Sequence, residues 1–558
     1  MAEGVRKRLL QRHAGLKQDR SEWDTHCSEI TDYLLPYAGR YNLSETNRGA
    51  KRNSKIIDSS ATRYARGLSA GMMSYNNSQA RPWFALTLAD VELSRFHPVK
   101  LWLKDVTERM HRVLHAGNTY RVFHKMYDEM IAFGTAVSIM QPDFEHVLWH
   151  HPVTNGQFVL ADNSRGEIDV CYREFQMTVA QMVEQFGVEN CSDPVREAWS
   201  KQEGLDRRFT VIHAIEPRKD RNPMRRDGRN KKYQSIYFEA AARDDQLLSE
   251  DGFDQFPVIA PRWDTTGGDV YGNGPGMECL GHIKQLQLMA EQEAKAIEYG
   301  VEPPLQGPSG LKDKDVDRLP GGFTAVDLAN PASKVQEMWR VSLDINHLLL
   351  SKNDVRQQIR ESFYADLFQA FVGLDSTQRT AEEIKARGEE KMLLLGPVTA
   401  AIQREMHGPV LDMLFQEMLK GGALPPPPEE LSGVMLNIEY VSVLAQAQKA
   451  IGANGMDRFM FAVGQLYPIK PDVLDKVDTD RWVEHYADRL GIDPDEIVPS
   501  EQVALIRQKR NEANAAKEQA LLMEQQAKTA QALGSTPVGG AQPSALDALG
   551  QLTGYGPA

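Results

Sequence analysis

Apolar residues near the chain start recur at helical spacing. Val5, Leu9, Leu16, Trp23, Cys27, Ile30 and Leu34 form one stripe, which predicts a long helix closed by Pro36. A polar loop through Asn53 follows. The same pattern predicts helices over 58–76, 97–117 and 119–134, that over 97–117 opened by His97-Pro98 and closed by Gly117-Asn118. From 136 to 263 the texture changes to short β-type runs: VSIM, VLWHH, FVLAD, IDVCYREF, FTVIHAIEP, SIYFEAA and PVIAPRW. Turn residues separate them, and one helix near 178–187 interrupts them.

A glycine-rich joint, DTTGGDVYGNGPG, ends this region, and a helix over 276–299 follows. Next comes a breaker-rich insert over 300–337, in which Pro303, Pro304, Pro308 and Pro320 oppose helix. A long helix resumes over 338–372, striped by Val341, Ile345, Leu348, Val355, Ile359, Phe363 and Leu367. Val372 to Ser376 breaks it, and Thr380-x-x-Glu383 is a capping-box start for a helix to Lys420, bent or broken at Pro397 and Pro409. Pro425 to Pro428 is a stiff spacer, 440–491 reads as a small helical bundle, and 500–533 as a helix with a thin apolar stripe that needs partners. From Gly534 the composition is that of a disordered tail. The chain is therefore mixed α/β and mainly α.

Composition narrows the class. The chain has 558 residues, 41% hydrophobic and 25% charged, enough for several domains without staples. Cys27, Cys171, Cys191 and Cys279 show no CxxC spacing, so neither a zinc site nor a redox motif is supported, and scattered thiols suit a reducing cytosol. The first residues lack a signal-peptide apolar run, and no stretch of about 18 apolar residues predicts a membrane span. A net charge of −13 argues against a tight nucleic-acid clamp, though not against a surface past which DNA slides.

Catalytic patterns are weak. There is no GxxxxGK[ST] and no HExxH. Gly67-Leu-Ser69-Ala-Gly71 matches GxSxG, but the preceding residues read as helix where a nucleophile elbow needs a strand, so close helix packing is the better account. His111 and His115 share a helix face without a third ligand, and His146, His150 and His151 have no metal-ligand spacing. Gly272-Asn-Gly-Pro-Gly276 lacks the third glycine of a dinucleotide loop, and Pro275 has no N–H for phosphate, so a tight joint is expected. The stretch from Arg218 to Lys232 holds eight basic residues against two aspartates; a solvated inter-strand loop is favoured over a phosphate contact.

The order of parts is more telling. Glu29-Ile-Thr-Asp-Tyr-Leu-Leu-Pro36, Asp58-Ser59 with Leu68-Ser-Ala-Gly-Met-Met73, Pro82-Trp-Phe84, Tyr271-Gly-Asn-Gly-Pro275 and Arg379-Thr-Ala-Glu-Glu-Ile384 occur in sequence. In order and spacing, over about 5–420, they resemble the portal (head-to-tail connector) family of short-tailed bacteriophages. The resemblance implies portal architecture: wing over 1–272, stem helices over 273–299 and 338–372, clip over 300–337, channel loop over 373–379, wing helix over 380–425, crown over 426–533 and tail over 534–558. It implies a ring, usually of twelve copies, at one capsid vertex of the virion, assembled in the host cytoplasm. Double-stranded DNA would pass through it during packaging and ejection. Terminase large subunit, tail adaptor, major capsid protein and scaffolding protein would be the partners, with no cofactor, metal or membrane and no enzymatic activity.

Lys284, Lys295, Gln369, Gly373, Ser376, Gln378 and Arg379 would then face the channel, and Pro303, Pro304, Lys312, Lys314, Arg318 and Pro320 would dock the motor and tail from the clip. Lys284 and Lys295 read equally as helix-surface ion pairs. Two other readings are a scaffold or tail component of the particle, and a hydrolase using Ser69. The α/β body and the hairpin insert argue against a scaffold.

Overall fold

The computed structural model describes residues 4–41, 49, 51–90, 93, 96–201, 204–225, 227–242, 245–307, 329, 335–337, 345–366, 395–431, 436–440, 456–466, 468, 470, 472, 476–490, 496–498 and 500–535. The chain divides into two compact units, one of 1–87, 104–426 and 436–443 and one of 88–103, 427–435 and 444–558.

The first unit opens with α1 (Val5–Asp19) and α2 (Ser21–Tyr33), two helices where the periodicity predicts one. They meet at Arg20, which is buried. Its guanidinium donates to Asp24 (2.7 Å), the Phe158 carbonyl (2.7 Å) and the Asn155 side chain (2.9 Å). It also lies over the rings of Phe158 (4.2 Å) and Tyr271 (4.6 Å). A charge inside a core needs this many partners, and the interruption between α1 and α2 falls at the residue that gathers them.

Helices α3 (Ser60–Asn76), α4 (His97–Ala116) and α5 (Thr119–Phe133) agree with the periodicity to within two residues. Strand β1 (Phe84–Leu88), between α3 and α4, was not foreseen. The α/β region builds two antiparallel sheets. In one, β2 (Val137–Asp143) lies between β3 (Val147–Val153) and β9 (Val258–Ile259). The other runs in chain order through β4 (Phe158–Asp162), β5 (Ile168–Thr178), β6 (Arg208–Pro217), β7 (Tyr233–Glu239) and β8 (Ser249–Phe253). Every neighbour there is sequential and antiparallel, and among the described residues only the β5–β6 connection carries α-helices. Thr178 starts α6 (Val179–Phe186) with a complete capping box, and a second helix, α7 (Asp193–Ser200), joins the one expected. One face of the large sheet packs Val159, Tyr172, Ile212 and Phe238 against Leu9 of α1. The first unit also holds the hairpin described below.

Near Pro409 the expected bend takes another form. Pro397 sits in the first turn of α10 (Gly396–Ile402), where a missing N–H costs nothing. A π-turn (Gln403–His407) then leads into α11 (Gly408–Lys420), and the Gly408 N–H reaches back to the Gln403 carbonyl. Pro409 cannot donate to the Glu405 carbonyl, which removes the α-helical bond that would resist widening. The turn aims Glu405 at Arg262 (2.6 Å) and buries His407 against Trp83 (4.8 Å between centroids). Tyr440, on strand β12 (Leu436–Tyr440), which pairs with β1, donates to the Gln403 carbonyl at 3.1 Å.

In the second unit, residues 456–466 are helical, followed by α12 (Thr479–Leu490) and α13 (Ser500–Ser535). Arg507 on α13 grips Asp480 on α12 through both guanidinium nitrogens (2.6 and 2.7 Å). Apart from half-buried Val503, the described side chains of α13 are exposed, Leu505, Ile506, Leu521, Leu522 and Met523 among them.

Candidate functional site

The glycine joint is built for backbone contact. A Cβ on Gly272, Gly274 or Gly276 would lie within 2.7 Å of the carbonyl oxygens of Gly134, Met130 and Ala132 respectively. The joint thus lies flat on the C-terminal end of α5. Gly272 N–H donates to Thr135 (2.8 Å) and Asn273 N–H to the Asp264 carbonyl (2.7 Å). These donors are used internally, which supports a joint over a phosphate loop.

From this base a single turn (Pro275–Glu278) leads into α8 (Leu280–Val301). Its return partner is α9 (Ile345–Ser362). Helix α9 ends at Ser362, where Phe363 and Tyr364 turn, Tyr364 with a positive φ of 50°. Residues 365–366 are helical again, and the rest of the expected run, 367–372, lies outside the described residues. The pattern alone gave no sign of the turn because Phe363 is buried and so continues the stripe.

The two helices lie side by side. Lys352 Nζ is 2.7 Å from Glu293, across 59 residues of sequence. Farther along, β10 (Leu305–Gln306) pairs antiparallel with β11 (Gln336–Glu337), Leu305 opposite Glu337 and Gln306 opposite Gln336. The pairing closes the neck of the insert and holds its ends together.

The hairpin is fastened to α3 by a polar node. Gln287, buried on α8, accepts the backbone N–H groups of Ile57 (2.7 Å) and Asp58 (2.8 Å) and donates to the Asp58 carbonyl (2.8 Å). Arg356 on α9 donates twice to the Asp58 carboxylate (2.7 and 3.2 Å). Burial alone would raise the Asp58 carboxyl, but hydrogen bonds from Ser60 and Arg356 outweigh it and hold it below its ordinary value. One short segment before α3 therefore grips both helices. Sequence reasoning named Asp58 but missed this role for Gln287, Lys352 and Arg356. The available signal was a polar residue on an apolar stripe: Gln287 follows Ile283 by four, and Lys352 precedes Ile359 by seven.

The remaining candidates fall as follows. Lys284 pairs with Glu29 of α2, and Lys295 with Glu291 one turn away at 2.6 Å. Pro303 and Pro304 are half-buried just past the end of α8. Lys312, Lys314, Arg318, Pro320, Gln369, Gly373, Ser376, Gln378 and Arg379 lie outside the described residues. Ser69 is buried inside α3, its hydroxyl 3.4 Å from the His124 carbonyl of α5, as the packing reading expects. His111 meets the Phe84 carbonyl at 3.2 Å, and no metal-binding group occurs among the described residues. In the basic stretch, Arg218 pairs with Glu250 of β8 at 2.9 Å. The four cysteines are free and buried; burial pushes the Cys27, Cys171 and Cys279 thiols up to about 12.

The sequence family described as bacteriophage head to tail connecting protein matches residues 6–498, and the chain belongs to that family. It is 47% identical over 556 residues to the "Probable portal protein" of Bordetella phage BPP-1, covering 100% of both chains. It is 38% identical over 557 residues to the "Portal protein" of Salmonella phage epsilon15, covering 99% of both. A chain titled "Virion of native gene transfer agent (GTA) particle" aligns at 10% identity with a TM-score of 0.30, over 75% of this chain and 98% of that one, a likeness too low to place any element.

Proposed function

We propose that the chain is the portal subunit of a phage particle: a ring at one capsid vertex through which double-stranded DNA is packaged and ejected. The observation that carries this is the α8–α9 pair, held by Lys352–Glu293 and closed at its neck by β10–β11, in a chain of the connector family. Copies of such a hairpin set around an axis form the wall of a pore by heterologous contacts that close on themselves. In this reading α8 and α9 belong to the stem, 300–337 to the clip, 373–379 to the channel loop and 380–425 to the wing helix. Residues 1–272 form the wing, 426–533 the crown and 534–558 the tail beyond it.

The function is mechanical. The ring offers passage and docking, while a separate terminase large subunit hydrolyses ATP. The clip meets that motor and later the tail adaptor; the wing meets the major capsid protein and, during assembly in the host cytoplasm, the scaffolding protein. DNA contact is non-specific, because Lys284 and Lys295 already have carboxylate partners and leave no continuous basic track on α8.

Negative-stain microscopy of the purified chain tests the reading. Rings with a central hole, usually of twelve copies, are expected. A lasting monomer under assembly conditions overturns it. Deleting 307–335 is expected to leave the wing fold and abolish motor and tail docking.

A further inference from the structure

The α8–α9 hairpin carries two unlike features at one height. On one side is a cleft of about 690 Å³. Ile57, Tyr64, Ala294 and Ile297 line it, with Lys352 and Arg356 as a wall. It is uncovered in the single chain, where Ile57 and Ile297 are 55% and 54% exposed. The other feature is Leu350, 67% exposed on α9. We propose that Leu350 of one copy seats in this cleft on the next copy. The inference rests on the ring reading above and names the residues of its contact.

Three observations carry it. The first is facing. A helix turns about 100° per residue, so Lys352, Val355 and Ile359 lie roughly 140–200° around α9 from Leu350. Val355 and Ile359 are buried, and Lys352 lines the cleft. Leu350 therefore projects from the opposite side, as a heterologous contact requires.

The second is height. Glu293 sits opposite Lys352, and Leu305 opposite Glu337. By that register Leu350 is level with Lys295 to within about one helical turn. The cleft spans Ala290 to Ile297 on α8, which brackets that level. Rotation about an axis parallel to the hairpin brings Leu350 to the neighbouring cleft without any slide along it.

The third is charge. Asp354 lies one turn from Leu350 on the same face and is exposed. Exposed Arg63 lines the cleft, with Ser60 Oγ at 3.3 Å as its hydrogen-bond partner. The cleft is mixed: its Asp58 and Glu293 carboxylates are already paired with Arg356 and Lys352, so a leucine beside a carboxylate meets Ile57, Ala294 and Ile297 beside the Arg63 guanidinium.

A cysteine pair tests this in the full chain. All four native cysteines are buried, so they compete little with introduced ones. Leu350→Cys combined with Ala294→Cys, oxidised after assembly, is expected to give a ladder of covalent oligomers on a non-reducing gel. Either single variant should give no ladder. Rings by microscopy without a ladder overturn the contact and leave the ring reading standing; absence of rings from the unaltered chain overturns both. As a second arm, Leu350→Asp is expected to lower the ring fraction at least tenfold with an unchanged unfolding midpoint, while Leu350→Met keeps it. Normal assembly of Leu350→Asp also overturns the contact.

Discussion

Lys352 Nζ lies 2.7 Å from the Glu293 carboxylate, and both side chains are largely shielded from water. This ion pair is a local measure of hairpin integrity, because nothing in the sequence between the two residues forces them together. Removing one partner leaves the other charge half-buried and alone. Lys352→Met is expected to destabilise the first unit by about 3 kcal/mol. Lys352→Met with Glu293→Leu should recover most of that loss. Urea unfolding followed by tryptophan fluorescence checks both, and equal stability of Lys352→Met and the unaltered chain would refute the pair's role.

The glycine joint makes a steric prediction. Gly274→Ala places a methyl 2.7 Å from the Met130 carbonyl oxygen, a distance that real side chains do not tolerate. The base of α8 must then lift off α5. A loss of about 2 kcal/mol or more is expected, together with fewer assembled rings. Thermal unfolding and microscopy of the same preparation measure the two effects.

Two buried histidines and one buried glutamate set opposing pH slopes. Burial pushes His407 down to about 3, and burial together with neighbouring His151 pushes His150 down to about 4. Their unfolded value is about 6.5, so the unfolded chain binds more protons below that pH. Stability from these groups is present above about 6.5 and is lost as the pH falls towards 4 and 3. Glu129 behaves in reverse. Burial raises its carboxyl to about 8, so its contribution is present below the unfolded value of about 4.5 and is lost as the pH rises through 8. Urea midpoints across pH 4–9 should show both arms. Glu129→Gln is expected to flatten the alkaline arm, and His407→Phe the acid arm. Unchanged slopes would remove these residues from the account.

Val147 closes the β2–β3 hairpin with a φ of 65°, a region that β-branched residues avoid. Val147→Asn suits that backbone better and is expected to stabilise the protein by roughly 1 kcal/mol. Differential scanning calorimetry would register a raised midpoint; a lowered one would show that the side-chain contacts outweigh the strain.

Much of the architecture was legible in periodicity and punctuation. Helices α3, α4 and α5 and the strand-rich region follow from apolar spacing and turn residues. The breaker-rich insert between two helical runs follows from Pro303, Pro304, Pro308 and Pro320. What was missed shares one character. The interruption between α1 and α2 falls at Arg20, whose side chain takes partners on β4 and at Tyr271, more than a hundred residues away. Helix α9 is interrupted by a turn at Phe363 and Tyr364 although Phe363 extends its stripe. Strand β1 pairs with β12 across some 350 residues, and so short a run has no signal of its own.

By itself the sequence determined most helices and the strand-rich region of the first unit, the glycine joint, and that a proline-studded insert separates two helical runs. Those properties arise from backbone sterics, missing N–H groups and the period of apolar residues, all of which act within a few positions. Only the tertiary structure decided that α8 and α9 lie together, which carboxylate each lysine meets, and that Gln287 and Arg356 fasten the hairpin through one segment at Asp58. Those pairings depend on which distant groups share a buried space, where an unpaired charge or hydrogen-bond donor is costly and a paired one is not. Local spacing holds no record of that choice.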